Sequence, residues 1–220
     1  SKAVKIAKEA VEESGKKILI AGSLPPLETS YRADLILPEE KMIQNYTELA
    51  AILENEVDII ICETMASSVE AKCALSSIQQ SKSNIWVSWT LHGNRKNTLP
   101  SGENLETAFF DIQELRVDAY LVNCCGANLV GEAIDVLSHL TEKPIGGYAN
   151  AENIITFSEN STITNQAEEA QKDSRKEIDE IGYAGEVQNW LDTGATIIGG
   201  CCRTRPSYIR ELSYLINKIS

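Results

Sequence analysis

The sequence predicts an α/β fold, a (β/α)8 barrel of which six strand–helix units are present, on three observations. Short apolar runs alternate six times with helical stretches, and no series of consecutive hairpins interrupts them. The strand runs are apolar at nearly every residue rather than at alternate ones, the pattern of a parallel sheet covered by helices. Polar and sulfur-bearing residues stand at the carboxyl ends of at least five strands, at Ser23, Glu63, Thr90, Cys124 and Cys201, where a barrel carries its chemistry. A doubly wound sheet shares the first two features. No Gly-x-Gly-x-x-Gly turn follows the first strand, which lowers its dinucleotide-binding form.

The chain begins inside a helical pattern. Val4, Ile6, Ala7, Ala10 and Val11 form an apolar stripe between Ser1 and Glu13. This opening predicts that the first two strand–helix units lie ahead of Ser1, strands 3–8 of the barrel being present. Residues 1–220 then form a single, N-terminally incomplete domain. Ile18–Gly22 reads as the first strand present, ended by Ser23-Leu24-Pro25-Pro26, and a polar loop containing Tyr31-Arg32-Ala33-Asp34 follows. Pro38 opens a helix, with Glu39 and Glu40 at its positive end and Met42, Tyr46, Leu49, Ala50 and Leu53 along one face. Strand Val57–Cys62 carries Glu63-Thr64 at its end.

The alternation continues through helix Ser68–Gln80, strand Ile85–Thr90, loop His92–Gly102 and helix Glu103–Leu115. Strand Ala119–Asn123 runs into Cys124-Cys125, then helix Leu129–Leu140 leads to Lys143-Pro144-Ile145-Gly146-Gly147-Tyr148-Ala149-Asn150. The polar stretch Ala151–Glu177 reads as a loop or insertion at a strand's carboxyl end, with a helical piece near Ala167–Lys172. Helix Glu177–Leu191, strand Thr196–Gly200 and helix Pro206–Ile219 complete the pattern.

Composition narrows the function. Twenty Lys and Arg against 32 Asp and Glu give a net charge of −12, which argues against nucleic acid or an anionic membrane as partner. No apolar run approaches the ~20 residues of a membrane span. With no signal-peptide pattern, a cytosolic setting is expected. Six cysteines in 220 residues are too sparse for a disulfide scaffold, and in the cytosol thiols persist as core residues, nucleophiles or metal ligands.

Two strands end in vicinal cysteines, Cys124-Cys125 and Gly199-Gly200-Cys201-Cys202. No Cys-x2-4-Cys knuckle of a closed structural zinc site occurs. Three sulfurs delivered from two strand ends would instead leave a fourth metal position open for a substrate. Thiolate-rich zinc is a weak Lewis acid for water and is suited to holding a substrate thiol as thiolate. On spacing alone, buried core cysteines satisfy the pattern as well. Cys62 and Cys73 read as core. His92 and His139 carry no metal pattern, and Trp86 and Trp89 read as core packing beside Ser88.

Val122-Asn123-Cys124 together with Gly199-Gly200-Cys201-Cys202 resembles the zinc-binding signature of the homocysteine S-methyltransferase family. Ala21-Gly22-Ser23-Leu24-Pro25-Pro26, Cys62-Glu63-Thr64 and Tyr148-Ala149-Asn150 agree with it in order and spacing, so the resemblance spans essentially the whole chain. It implies a cytoplasmic, zinc-dependent enzyme on a (β/α)8 barrel. A methyl group would pass from an onium-type donor, S-methylmethionine or S-adenosylmethionine, to the homocysteine thiolate, giving methionine. A betaine donor, or a barrel that binds zinc and thiol without turnover, is the alternative. A phosphate-binding barrel with core cysteines is a further one.

By position Cys124, Cys201 and Cys202 match the zinc ligands, and Cys125 is the bystander. Glu63 matches the residue that meets the homocysteine amino group, with Thr64 beside it in the same pocket. The family's Asp-Gly-Gly loop on its first strand has no counterpart here. Arg203 and Tyr208 stand where the family commonly has Gly and His. A six-unit sheet is expected to be unstable or to associate at its edges unless the remaining strands are supplied.

Overall fold

The computed structural model describes residues 2–157 and 175–219. In chain order these form α1 (Lys2–Ser14), β1 (Ala21–Leu24), a 3-10 turn (Ala33–Leu35), α2 (Glu39–Leu53), β2 (Ile59–Met65), α3 (Ser68–Ser77), β3 (Asn84–Trp89) and α4 (Leu105–Ile112). Then follow β4 (Ala119–Gly126), α5 (Ala127–Leu140), β5 (Ile145–Asn150), β6 (Glu152–Ile154), β7 (Arg175–Glu177), α6 (Glu180–Asp192), β8 (Ile197–Gly200) and α7 (Pro206–Ile219).

Six strands pair in parallel in the order β1-β2-β3-β4-β5-β8, which is their chain order. A doubly wound sheet reverses its order at a switch point. This one never does, so the sheet curls as part of a barrel, and it is open between β1 and β8 among the described residues. Helices α2 to α7 pack each against the next. Under them the convex face is dry: Leu24, Ile60, Cys62, Ile85, Val87, Trp89, Val122 and Ala149 are fully buried. Cys62 and Cys73 are core residues, as the pattern predicted. None of the helices described is long and apolar enough to cross a membrane.

The concave face carries the alternate residues. Ala21, Ser23, Ile61, Glu63, Trp86, Leu121 and Tyr148 line a cavity of about 310 Å³ that β8 closes on one side. Trp86 therefore faces the cavity, while Trp89, three residues on, lies on the opposite face stacked on Tyr120 at 6.2 Å. The expected core role holds for Trp89 only.

Several boundaries differ from the sequence pattern: α3 ends at Ser77 rather than Gln80, α4 spans Leu105–Ile112 rather than Glu103–Leu115, β2 runs on to Met65 so that Glu63 and Thr64 lie within it, and α6 starts at Glu180, Glu177 belonging to β7. The first strand begins at Ala21 rather than Ile18, because β2, its one neighbour among the described residues, starts its register at Ala21↔Ile59. Ile18 and Leu19 are left 47% and 59% exposed. The polar stretch after Asn150 is not wholly irregular, since β6 and β7 pair antiparallel as Glu152↔Glu177, Asn153↔Lys176 and Ile154↔Arg175. The helical piece expected near Ala167–Lys172 lies outside the described residues.

Candidate metal centre

The two strand ends singled out by their cysteines meet. The ligand atoms of Cys124, Cys201 and Cys202 all lie within 4.8 Å of one another, and the sulfurs of Cys124 and Cys202 are 3.6 Å apart. Cys124 is buried, Cys201 half-buried and Cys202 exposed, so the cluster opens toward solvent on one side. Cys125 is fully buried and outside the cluster, and neither histidine joins it.

Each strand turns sharply to present its sulfur. At the end of β4 the ladder with β5 shifts register between Asn123 and Gly126, and Cys124 takes φ 56°. After β8 a tight turn runs from Cys201 to Thr204, where Thr204 N–H donates to the Cys201 carbonyl and Arg203 takes φ 66°. Cys201 N–H donates to the Ala149 carbonyl at 2.8 Å, and Cys202 N–H to Asn150 Oδ1 at 3.2 Å. A Cβ on Gly200 would press on the Thr204 side chain at 2.6 Å, so this position needs glycine to let the turn close.

The sulfurs are electrostatically unequal. The hydrogen bond with Cys124 lowers the Cys201 thiol to about 7, while that same hydrogen bond, with burial, pushes Cys124 well up. Burial also raises Cys202. Cys201 is thus the first of the three to ionise, a stepwise titration expected where like groups share one site. A set of three converging thiols, one of them poised near neutrality, fits a thiophilic divalent ion such as zinc in number, chemistry and spacing.

Glu63 and Thr64 occupy the equivalent place on β2. The ladder with β3 shifts register between Cys62 and Met65, and Thr64 takes φ 62°, a conformation that β-branched residues rarely accept. Asn123 holds it there. Its Oδ1 accepts from Thr64 N–H at 3.0 Å and from Ser88 Oγ at 2.7 Å, and its Nδ2 donates to Thr64 Oγ1 at 2.8 Å. Asn123 is fully buried and immediately precedes Cys124, so one carboxamide ties the sulfur-bearing strand to the carboxylate-bearing one. Tyr148 Oη donates to Glu63 Oε2 at 2.9 Å and aims the carboxylate into the cavity.

Two further groups, Tyr31 and Glu152, lie near the cluster that the spacing of residues did not single out as functional. Tyr31 Oη lies 2.8 Å from both the carbonyl and the sulfur of Cys124. Glu152, 1% exposed, accepts from Asn150 Nδ2 at 3.3 Å and faces Arg203 Nη1 at 3.1 Å and Arg175 Nη1 at 3.7 Å. These contacts cross 93 residues for Tyr31 and about fifty for the Glu152–Arg203 pair, beyond any local periodicity. The only signal in the sequence was an aromatic residue inside an otherwise polar loop.

A family model described as "Homocysteine S-methyltransferase" matches residues 1–216. The chain is 25% identical over 209 residues to homocysteine S-methyltransferase YbgG of Bacillus subtilis, covering 90% of this chain and 61% of that protein. It is 26% identical over 168 residues to homocysteine S-methyltransferase 1 of Arabidopsis thaliana, covering 75% and 48%. The selenocysteine methyltransferase of Astragalus bisulcatus is 24% identical over 173 residues, covering 76% and 46%. Among solved structures, the metallated form of the homocysteine methyltransferase MmuM from Escherichia coli superposes with a TM-score of 0.73 at 22% identity, over 96% of this chain and 66% of that one. The chain thus spans roughly half to three-fifths of the length of these three sequence relatives.

Proposed function

Because the chain belongs to the homocysteine S-methyltransferase family, we propose that it carries the thiol-activating side of a zinc-dependent methyl-transfer site. The observation that carries this reading is the convergence of Cys124, Cys201 and Cys202 within 4.8 Å at the carboxyl end of a parallel sheet. Zinc held by three thiolates would supply an open fourth position and keep a bound thiol ionised at neutral pH.

The protein's own residues do the rest by placement. Glu63, aimed by Tyr148, is the partner for the ammonium group of homocysteine, an amino acid whose sulfur end must face the cluster. Thr64 lies beside it, held by Asn123, so the distance between the amino end and the sulfur end is set by one buried strut. Rigid spacing of this kind converts binding into a near-attack geometry.

The reaction we propose needs no proton transfer at carbon. The substrate sulfur forms a bond to the methyl carbon, the carbon–sulfur bond of an onium donor breaks, and the donor departs as a neutral thioether while methionine forms. S-methylmethionine or S-adenosylmethionine is the donor class that suits this step.

The full-length protein tests it. Wild type should hold one zinc per chain and form methionine from homocysteine with one of these donors. Alanine at Cys124, Cys201 or Cys202 should abolish zinc retention and turnover together. A variant that keeps one zinc and full turnover would refute the ligand assignment.

A further inference from the structure

In the proposed reaction the protein's sulfurs share the metal with the substrate sulfur, and each is a nucleophile toward an activated methyl group. Something must direct the methyl to the substrate. The geometry at Cys124 supplies one such device. Tyr31 sits in the loop after β1 with φ 68°, a left-handed conformation that strains a bulky residue. The turn that holds it is clamped by Arg32, whose Nε and Nη2 donate to the two carboxylate oxygens of Asp34 at 2.8 and 2.7 Å. The strain places the Tyr31 hydroxyl 2.8 Å from Cys124 Sγ and 2.8 Å from the Cys124 carbonyl.

One hydroxyl proton faces two acceptors, and the second contact decides its direction. Thr90 Oγ1 also donates to the Cys124 carbonyl, at 3.3 Å, so that oxygen has another donor. Once the sulfur is a thiolate it is the charged acceptor, and charged acceptors take the stronger bond. From this arrangement we propose that Tyr31 is a positioning residue whose hydroxyl donates to the Cys124 sulfur and shields it from methylation, leaving the substrate sulfur as the preferred acceptor. The proposal rests on the zinc reading above and adds selectivity among the sulfurs.

The reaction it suppresses is self-methylation. There a lone pair on Cys124 Sγ forms the S–CH3 bond, and the bond from the methyl carbon to its leaving group breaks with the electron pair departing on that group. The ligand thiolate becomes a neutral thioether. A hydrogen bond on the attacking lone pair must be given up first, which slows the step on the order of tenfold if one hydrogen bond to a charged group is at stake.

The test uses zinc-loaded full-length protein and methyl iodide, in which iodide is the leaving group. Methylation at Cys124 and Cys202 is followed by mass spectrometry of digested samples. In Y31F, Cys124 should be methylated on the order of tenfold faster than in wild type, with the Cys202 rate unchanged as the internal reference. In cobalt-substituted protein, the sulfur-to-cobalt charge-transfer band should move to lower energy in Y31F, because an unshielded thiolate gives up its electrons more readily. A fluorotyrosine at position 31, nearly the same size and a stronger donor, should move both readouts the other way.

An unchanged Cys124 rate in a Y31F protein holding one zinc would overturn the proposal and leave the zinc reading intact. Loss of zinc from Y31F would overturn it too, since the hydroxyl would then serve to retain the metal. Wild-type protein that binds no zinc would instead remove the premise beneath both.

Discussion

Arg203 holds φ 66°, which glycine adopts without strain, yet its guanidinium lies 3.1 Å from the buried Glu152 carboxylate and 2.9 Å from Glu177. A buried carboxylate stripped of the nearer of its two cations, with Arg175 left at 3.7 Å, costs more than the turn strain saves. R203G should therefore lose about 1–3 kcal/mol in urea unfolding. The double variant R203G/E152Q should recover most of it, because the buried charge left with only the more distant Arg175 is gone. Equal stability of R203G and wild type would show the pair to be silent. Glu70 gives the pH-dependent counterpart. Burial raises its pKa, so the folded state holds its proton more tightly than the unfolded chain does. Its contribution is fully present below the unfolded carboxylate range and is lost as pH rises through the folded value. E70Q can still accept from Ala66 N–H, as Glu70 does at 3.1 Å, so it should melt higher than wild type at pH 7 and lose that advantage toward pH 4. At this scale the cysteine cluster was legible because vicinal cysteines at two strand ends are chemically conspicuous. Tyr31 was not, since nothing local marks a loop tyrosine for a partner on β4.

At the scale of elements, the strand–helix alternation was readable from continuous apolar runs and from Pro38, which with Glu39 and Glu40 stands at the start of α2. The register shifts at Thr64 and Cys124 were not readable. Threonine and cysteine do not favour the left-handed region, and both have tertiary contacts there, the carboxamide of Asn123 for one and the Thr90 hydroxyl on the Cys124 carbonyl for the other. Glycines separate close packing from open space between elements. A Cβ on Gly147 would collide with Val130 Cγ1 on α5 and come within 3.1 Å of the Val122 carbonyl. G147A should therefore cost about 1–3 kcal/mol. Gly185, on α6, has nothing within 4 Å of such a Cβ, and G185A should gain roughly 0.5–1 kcal/mol by helix propensity. Chemical denaturation of the pair measures both signs, and matching effects would contradict the packing of α5 on β5.

At the scale of the whole molecule, β1 and β8 each pair on one side only among the described residues, and the concave face between them is half-exposed. Unpaired parallel edges recruit other strands. The 220-residue chain by itself should associate in a concentration-dependent way and bind a hydrophobic dye, measured by sedimentation and fluorescence. A longer protein that pairs both edges should do neither, and a monomeric, dye-silent 220-residue chain would contradict this. The sequence alone determined the alternation of elements, the parallel sheet and the placing of vicinal cysteines at two strand ends, because these follow from local apolar patterning and from residue order. Only the tertiary structure decided that the sheet runs in chain order, that Asn123 braces Thr64, and that Tyr31 lies against Cys124. Those relations join residues 59 and 93 positions apart, and their free energy comes from burial and hydrogen bonds that exist only once the sheet has curled.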